Sequence, residues 1–282
     1  MALSGKLFIV ATPIGNLGDI SARALSVLRD ADLIAVEDTR HSRTLLQQFG
    51  IDTPMLAYHD FNETQQVSKL LERIANGEDI ALISDAGTPL VSDPGYQLVR
   101  QAHLQQIKVV PVPGPSAVIT ALCSAGLASD RFTFEGFLPA RSAARKAVLT
   151  DLQKESRTII FYEAPHRIVE CLVDMLECLG ASREITMARE LTKTFETILH
   201  TTVAELLEIV RNDVNQQKGE IVLVVAGARV DAQLVDAQAL HTLKVLLAEF
   251  PLKQASALAA QITGIKKNLL YEIALQLKQH KD

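Results

Sequence analysis

The stretch "ISDAGTPLVSDPG", Ile83 to Gly95, ends an apolar run with two Asp, two Gly and two Pro. A turn needs only one or two such residues. Beyond the carboxyl end of a strand in an open α/β fold, small residues let a ligand approach the backbone. An Asp- and Pro-rich double turn accounts for the same letters. Five other loops share this character: "ATPIGNLGDI" (11–20), "EDTRHS" (37–42), "PVPGPSA" (111–117), "FYEAPHR" (161–167) and "ARELTKTFE" (188–196). Each alone is explained by a cap, a turn or a charged hairpin. Together, loops so dense in Gly, Pro, Ser and charge imply a cleft with two walls. The Gly loop lacks the spacing of a dinucleotide fingerprint and of a P-loop, and offers no Lys to phosphates, which disfavours NAD and NTP sites.

The elements that must position these loops follow from periodicity. "KLFIVAT" (6–12), "LIAVE" (33–37), "IALISD" (80–85) and "KVVPV" (108–112) are short, nearly continuous apolar runs, the signature of strands buried on both faces of a parallel sheet. Amphipathic stretches alternate with them. Asp19 and Asn62 suit helix N-caps, Gly50 and Gly77 suit helix stops, and Asp93 suits the cap of the helix after "LVSDPG". After residue 126 the pattern changes. "RFTFEGF" (131–137), "RTIIFYE" (157–163), "EITMARE" (184–190), "ETILHTT" (196–202) and "EIVLVVAG" (220–227) are strand candidates. No helix fits between 190 and 196, so that pair is antiparallel. The expected organisation is α/β: a first α/β domain over 1–126, a second over 127–230, and a helical, helix-turn-helix-like domain over 231–282, with its last two helices joined by "GIKK".

Composition narrows the classes. The 282 residues are 48% hydrophobic with a net charge of −5, which describes a folded chain and argues against coating nucleic acid by bulk charge. Cys123, Cys171 and Cys178 form no CxxC, and the histidines show no HxxxH or HxH spacing, so no metal is expected. The N-terminal apolar run is too short for a signal segment and nothing reaches bilayer length, so a cytoplasmic protein is expected. From Pro251 onward five Lys face two acids, a net +3 against −8 for the rest. That asymmetry points to an anionic partner; a solvated Lys face on a packing helix is the alternative.

The ordered motifs "TPIGNLGDIS", "EDTRHS", "SDAGTPLVSDPG", "VPGPSA", "EGFLP", "FYEAPHR", "ARELTKTFE" and "KGEIVLVVAG" resemble the tetrapyrrole-methylase-like (class III) S-adenosylmethionine methyltransferases. Within them they are most similar to the branch that methylates the 2′-hydroxyl of a cytidine in the decoding region of small-subunit (16S) ribosomal RNA. The resemblance spans residues 6–228, and the helical tail is characteristic of that branch. It implies two α/β domains with S-adenosylmethionine in the cleft between them. It implies that Pro13 lines the cofactor pocket and that Asp85, Gly87 and Thr88 hold the methionine and ribose side. Ser116 and Ala117 would offer a helix N-terminus, Tyr162 and Ala188 would flank the adenine, and Glu220 and Ile221 would close the pocket.

Such a cofactor carries a cationic sulfonium and amino group, for which acids are wanted and a phosphate-binding Lys is not. A ribose hydroxyl is a weak nucleophile, so a positioned base or acceptor is expected. Lys193, Glu196 and Glu163 are the candidates by chemistry. Arg40, His41 and Arg167 suit RNA phosphates or ion pairs between loops, and Lys266 and Lys267 add charge in the tail. The implied partner is 16S rRNA, in an assembled 30S subunit, with a second copy of the chain as a further candidate partner. A methyltransferase of a small tetrapyrrole-like substrate shares the cofactor site, and a ligand-sensing DNA-binding regulator is the other alternative. The basic tail favours RNA over the first. The scarcity of base-reading side chains in "KKNLLYEIALQLKQH" weighs against the second.

Overall fold

The computed structural model describes residues 5–59, 63–228 and 237–279; Asn62, expected as a helix cap, lies outside them. Two compact units result, Met1–Gly227 and Ala228–Asp282.

The first unit holds two sheets. The strands of the first, β1 (Lys6–Val10), β2 (Leu33–Val36), β3 (Met55–Ala57), β4 (Ile80–Ile83) and β5 (Lys108–Val112), are all parallel in the order β3-β2-β4-β1-β5. Helices α1 (Ala22–Asp30), α2 (Thr39–Gln48), α3 (Glu63–Ala75) and α4 (Tyr96–Leu104) supply the crossovers, and α5 (Ala117–Ser124) follows β5. Alternate residues explain the continuous apolar runs. Leu33, Ala35, Ile80 and Leu82 pack with Leu70, Ile74, Leu98 and Ala102 on one face. Ile34, Val36, Ala81 and Ile83 pack with Ala24, Leu28 and Leu46 on the other. The sheet is therefore buried on both sides, as parallel sheets require.

Two expected caps are corrected. Ile20 is extended, so α1 cannot start at Asp19; its cap is Ser21, whose Oγ accepts from the Ala24 amide at 3.0 Å. Asp19 sits instead in a 3-10 turn capped by Asn16. Asp93 does not cap α4 either. That helix starts from Gly95, at φ +129, without a side-chain cap, and a Cβ there would lie 2.8 Å from Leu82 Cδ2.

The second sheet runs β6 (Phe132–Phe137), β7 (Thr158–Glu163), β10 (Ile221–Val225), β8 (Glu184–Arg189), β9 (Thr197–Thr202) in space. Only β6 and β7 are parallel; the expected antiparallel β8–β9 pair is present, with Glu184 opposite Thr202 and Arg189 opposite Thr197. Helices α6 (Ser142–Asp151), α7 (Ile168–Leu179) and α8 (Val203–Asn212) cover one face, burying Phe161, Ile185 and Leu223 against Leu172, Met175 and Leu206. The other face, with Ile160, Val222, Val224 and Ala188, packs on Val118, Ala121 and Leu122 of α5 and on Ile14 after β1. This shared core joins the two sheets.

The second unit has helices α9 (Ala237–Glu249), α10 (Leu252–Thr263) and α11 (Lys267–Gln279) around Leu243, Ala259, Leu270 and Ala274. Gly264 ends α10 at φ +73, its amide donating to Ala260 O at 3.0 Å, a left-handed position glycine takes without strain. Lys253, Lys266 and Lys267 are exposed. Among the described residues, no helix is long and apolar enough to cross a membrane.

Candidate active site

The loop after β1 meets the loop after β4 through a two-way backbone bridge: Thr12 N donates to Gly87 O at 2.8 Å and Gly87 N to Thr12 O at 3.1 Å. Gly87 has φ +81, and a Cβ on it would press Ile14 Cγ2 at 3.2 Å, so the chain needs glycine there for both reasons. Thr88 Oγ1 then donates to Pro115 O at 2.9 Å, fastening the same loop to the entrance of α5. Asp85 faces the loop after β2. Its Oδ1 accepts from the Asp38 amide at 3.1 Å, while its own amide donates to Glu37 Oε2 at 3.5 Å. Leu90 and Ser92, at φ +72 and +68, hold the rest of the stretch in a conformation unusual for side-chain-bearing residues.

These loops form one wall of a cavity of about 460 Å³, within the range of small-molecule sites. The opposite wall comes from the ends of β6 and β7 and the start of β10. Of the expected cofactor residues, Asp85, Gly87, Thr88, Ser116, Ala117, Tyr162, Glu220 and Ile221 line it. Pro13 is buried one residue before the lining Ile14, and Ala188 is buried in the core behind the wall. The lining also includes Glu37, Asp93, Phe137 and Gly219, whose places sequence did not reveal. All four lie inside or beside the quoted motifs, so proximity to those motifs was the available signal.

Five acidic residues line the cavity, Glu37, Asp85, Asp93, Glu163 and Glu220, the Glu163 carboxylate itself being buried against Arg167, and among the described residues no Lys, Arg or His does. Such a wall attracts a cation and repels a phosphate. Ser116 and Ala117 add the N-terminal end of α5, which favours a ligand carboxylate. Ile14, Val91, Ile221 and Val222 give an apolar patch. The Tyr162 hydroxyl, held up to about 12 by burial and by the nearby Asp93 and Glu220 charges, stays protonated.

The proton-transfer candidates are placed apart. Glu163 lines the cavity, its side chain fully buried; Oε1 accepts from Arg167 at 2.6 Å and from the Ala164 amide at 2.7 Å, while Oε2 has no hydrogen-bond partner. The Cys171 thiol behind it is pushed up by burial and by the Glu163 charge. Lys193 stands behind the wall, 2.9 Å from Glu190 Oε1 and 3.3 Å from Glu220 Oε2. Glu196 is exposed and accepts from the Thr192 amide at 2.7 Å.

The expected phosphate contacts also differ among themselves. Arg40 is 89% exposed, with Asp38 its ion-pair partner at 3.0 Å; the Arg40 side chain and amide hold the Asp38 carboxyl down to about 2. His41 is exposed on the same turn. Arg167 is half-buried and divides its guanidinium between Glu163 and Leu138 O, at 2.8 Å.

Comparison with known proteins gives this geometry its family. Residues 6–207 match the tetrapyrrole (corrin/porphyrin) methylases, and residues 233–278 match the RsmI C-terminal HTH domain. The chain belongs to the tetrapyrrole methylase family, and its methyl donor is S-adenosylmethionine. It is 58% identical to the Ribosomal RNA small subunit methyltransferase I of Pseudomonas aeruginosa, over 97% of this chain and 98% of that one. It is 55% identical to the protein so named in Escherichia coli O157:H7, over 96% and 95%. Among solved structures it resembles the methyltransferase CobJ, with a TM-score of 0.59, 18% identity, and 80% and 95% of the chains covered. Diphthine synthase follows with 0.58, 16%, and 79% and 90%. At such identities these two structures speak for the fold alone.

Proposed function

We propose that the chain transfers a methyl group from S-adenosylmethionine to small-subunit ribosomal RNA, the acceptor being the ribose 2′-hydroxyl of a cytidine in the decoding region. The observation that carries the reading is a cavity lined by five acidic residues and, among the described residues, by no basic one. It suits a donor with a sulfonium and an ammonium group. The RNA assignment is supported by relatives named ribosomal RNA small subunit methyltransferase I, matched along nearly the whole chain, tail included.

Bound S-adenosylmethionine would supply a methyl group on positively charged sulfur to a ribose oxygen that gives up its proton. This chain's work is alignment and electrostatics. Asp85, with Glu37 beside it, receives the cationic end, and Ser116 and Ala117 at the start of α5 receive the carboxylate. Tyr162, Ile221 and Val222 enclose the apolar part. Glu163, which alone of the three proton-transfer candidates lines the cavity, is the proton acceptor or its hydrogen-bond partner. Lys193 holds Glu220 in place. Arg40, His41, Lys266 and Lys267 meet RNA phosphates, and Arg167 positions Glu163. An assembled subunit is the substrate, where a nucleotide is presented out of its stack.

The test is direct. Small ribosomal subunits from cells lacking this gene, incubated with the purified chain and labelled S-adenosylmethionine, gain one ribose methyl group on a cytidine of their RNA. Label on a base, or none, overturns the reading.

A further inference from the structure

Strand β6 contains an irregularity with a consequence for the site. Its ladder to β7 pairs Phe134 with Ile160, then skips Glu135 and pairs Gly136 with Phe161 and Phe137 with Tyr162. In an unbroken strand, residues three apart face opposite sides. The extra residue brings Phe134 and Phe137 to the same side, where both rings meet Tyr162, at 4.9 Å and 5.5 Å between centroids. Gly136 turns the bulge at φ +66. The result is a row of three rings from core to cavity. Phe134 is partly buried, Tyr162 is half-buried in the wall, and Phe137 at the outer end is 56% exposed.

The backbone behind this exposed ring is heavily secured. Leu138 is 3% exposed, its carbonyl taken by Arg167 at 2.8 Å. Arg145, 1% exposed and paired with Asp174 at 2.6 Å, donates to Pro139 O and Ala140 O at 3.5 and 3.4 Å. Two guanidiniums hold three consecutive carbonyls, so an apolar ring is kept at the cavity mouth at the cost of its own hydration. A bulge that re-aims one side chain beside a site is a positioning device.

We propose that Phe137 is the platform on which the target nucleobase stacks while its ribose enters the cavity. The inference rests on the RNA reading above. Every base has a flat face for an aromatic ring, and a nucleotide taken out of its stack needs a substitute for the neighbours it lost. The adenine of the donor is the other candidate for this ring. Tyr162 and the apolar patch lie further in and are more enclosed, which leaves the outermost ring to the substrate.

The experiment compares the unsubstituted chain with Phe137→Leu, Phe137→Met and Phe137→Trp, measuring donor affinity and kcat/KM on small subunits from cells lacking the gene. The Leu and Met variants keep apolar bulk without a flat face. They are expected to bind the donor within about twofold of the unsubstituted chain and to lose roughly 5- to 150-fold in kcat/KM, mainly through KM. The Trp variant retains most of the activity. Unchanged kcat/KM in Leu and Met, or equal loss in Trp, overturns the proposal, as does donor affinity falling in step with activity. If the unsubstituted chain itself leaves subunits unmethylated, the RNA reading falls and this proposal with it.

Discussion

Gly15, in the loop after β1, lies directly against the side-chain stem of Lys193, in the loop between β8 and β9: a Cβ on Gly15 would sit 2.4 Å from Lys193 Cγ. Beside the shared core, the loops of the two sheets thus also touch through this methylene chain, whose ammonium group goes on to Glu190 and Glu220. Gly15→Ala must push that stem aside. Crowding of this kind costs about 1–3 kcal/mol of stability, and we expect weaker donor binding because Glu220 loses its partner. Combining it with Lys193→Ala removes the clash with the stem, though not the contact with Thr192 Oγ1 at 3.1 Å or the strain at φ +156, so the double variant loses less than the sum of the singles by denaturant unfolding. Strict additivity would show that the contact carries no energy.

The same cluster sets a pH window. Burial opposes the charge on both Glu190 and Lys193, but their mutual hydrogen bond, with the Glu220 amide and carboxylate, outweighs it. Glu190 is lowered, so its contribution is present above the unfolded carboxylate value, about 4.3, and is lost as pH falls through the folded one. Lys193 is raised, so its contribution is complete below the unfolded value, about 10.4, and is lost as pH rises through the folded one. Both remain charged between about pH 5 and 10. Calorimetric donor affinity is therefore expected to show no Lys193 titration there. A midpoint in that interval that Lys193→Arg abolishes would contradict the network.

Asp85 has two duties that can be separated. Asp85→Asn keeps an oxygen for the Asp38 amide, now 3.1 Å away, yet removes the negative charge; Asp85→Ala removes both. If the charge serves the donor's cationic end, the Asn variant loses about 1.5–3 kcal/mol of donor binding, roughly tenfold or more, with little change in melting. Full affinity in the Asn variant and loss only in the Ala variant would reduce Asp85 to a turn residue.

Removing residues 228–282 tests the division into units. All cavity-lining residues lie between Ile14 and Val222, so donor binding is expected to survive. Methylation of subunits is expected to vanish, with RNA affinity falling and its dependence on salt becoming shallower, because phosphate contacts release counterions. A folded truncation that methylates subunits at the normal rate removes the tail from substrate recognition.

Much of this architecture was legible because its causes are local. Runs such as "LIAV" are apolar at every position since both faces of the parallel sheet are covered, and Thr88, Ser116 and Tyr162 sit where their strands end. What escaped depends on partners distant in sequence or on one residue's backbone angle. Strand β3 is three half-buried residues at a sheet edge, too short to carry a period. Ser21 displaced Asp19 as a cap because Ile20 is extended. Asp93 looked like a cap because it precedes a helix, while Gly95 already starts that helix. For Arg167 the sequence left RNA phosphates and ion pairs between loops both open, because the burial of its partner Glu163, four residues earlier, depends on the fold.

The bulge in β6 also bears on which changes of length the chain tolerates. Deleting Glu135 would let the ladder to β7 run unbroken, a repair that hydrogen bonding alone would welcome. It would also leave Phe137 two positions after Phe134 and so on the cavity side, because Gly136 and Phe137 already pair in step with Phe161 and Tyr162. Spectroscopy on such a deletion would report a healthy β-sheet. Drawing Glu135 into the ladder opposite Phe161 without shortening the chain is the change that would turn Phe137 toward the helix-covered side, so this strand tolerates the loss of a residue better than the ironing-out of its bulge.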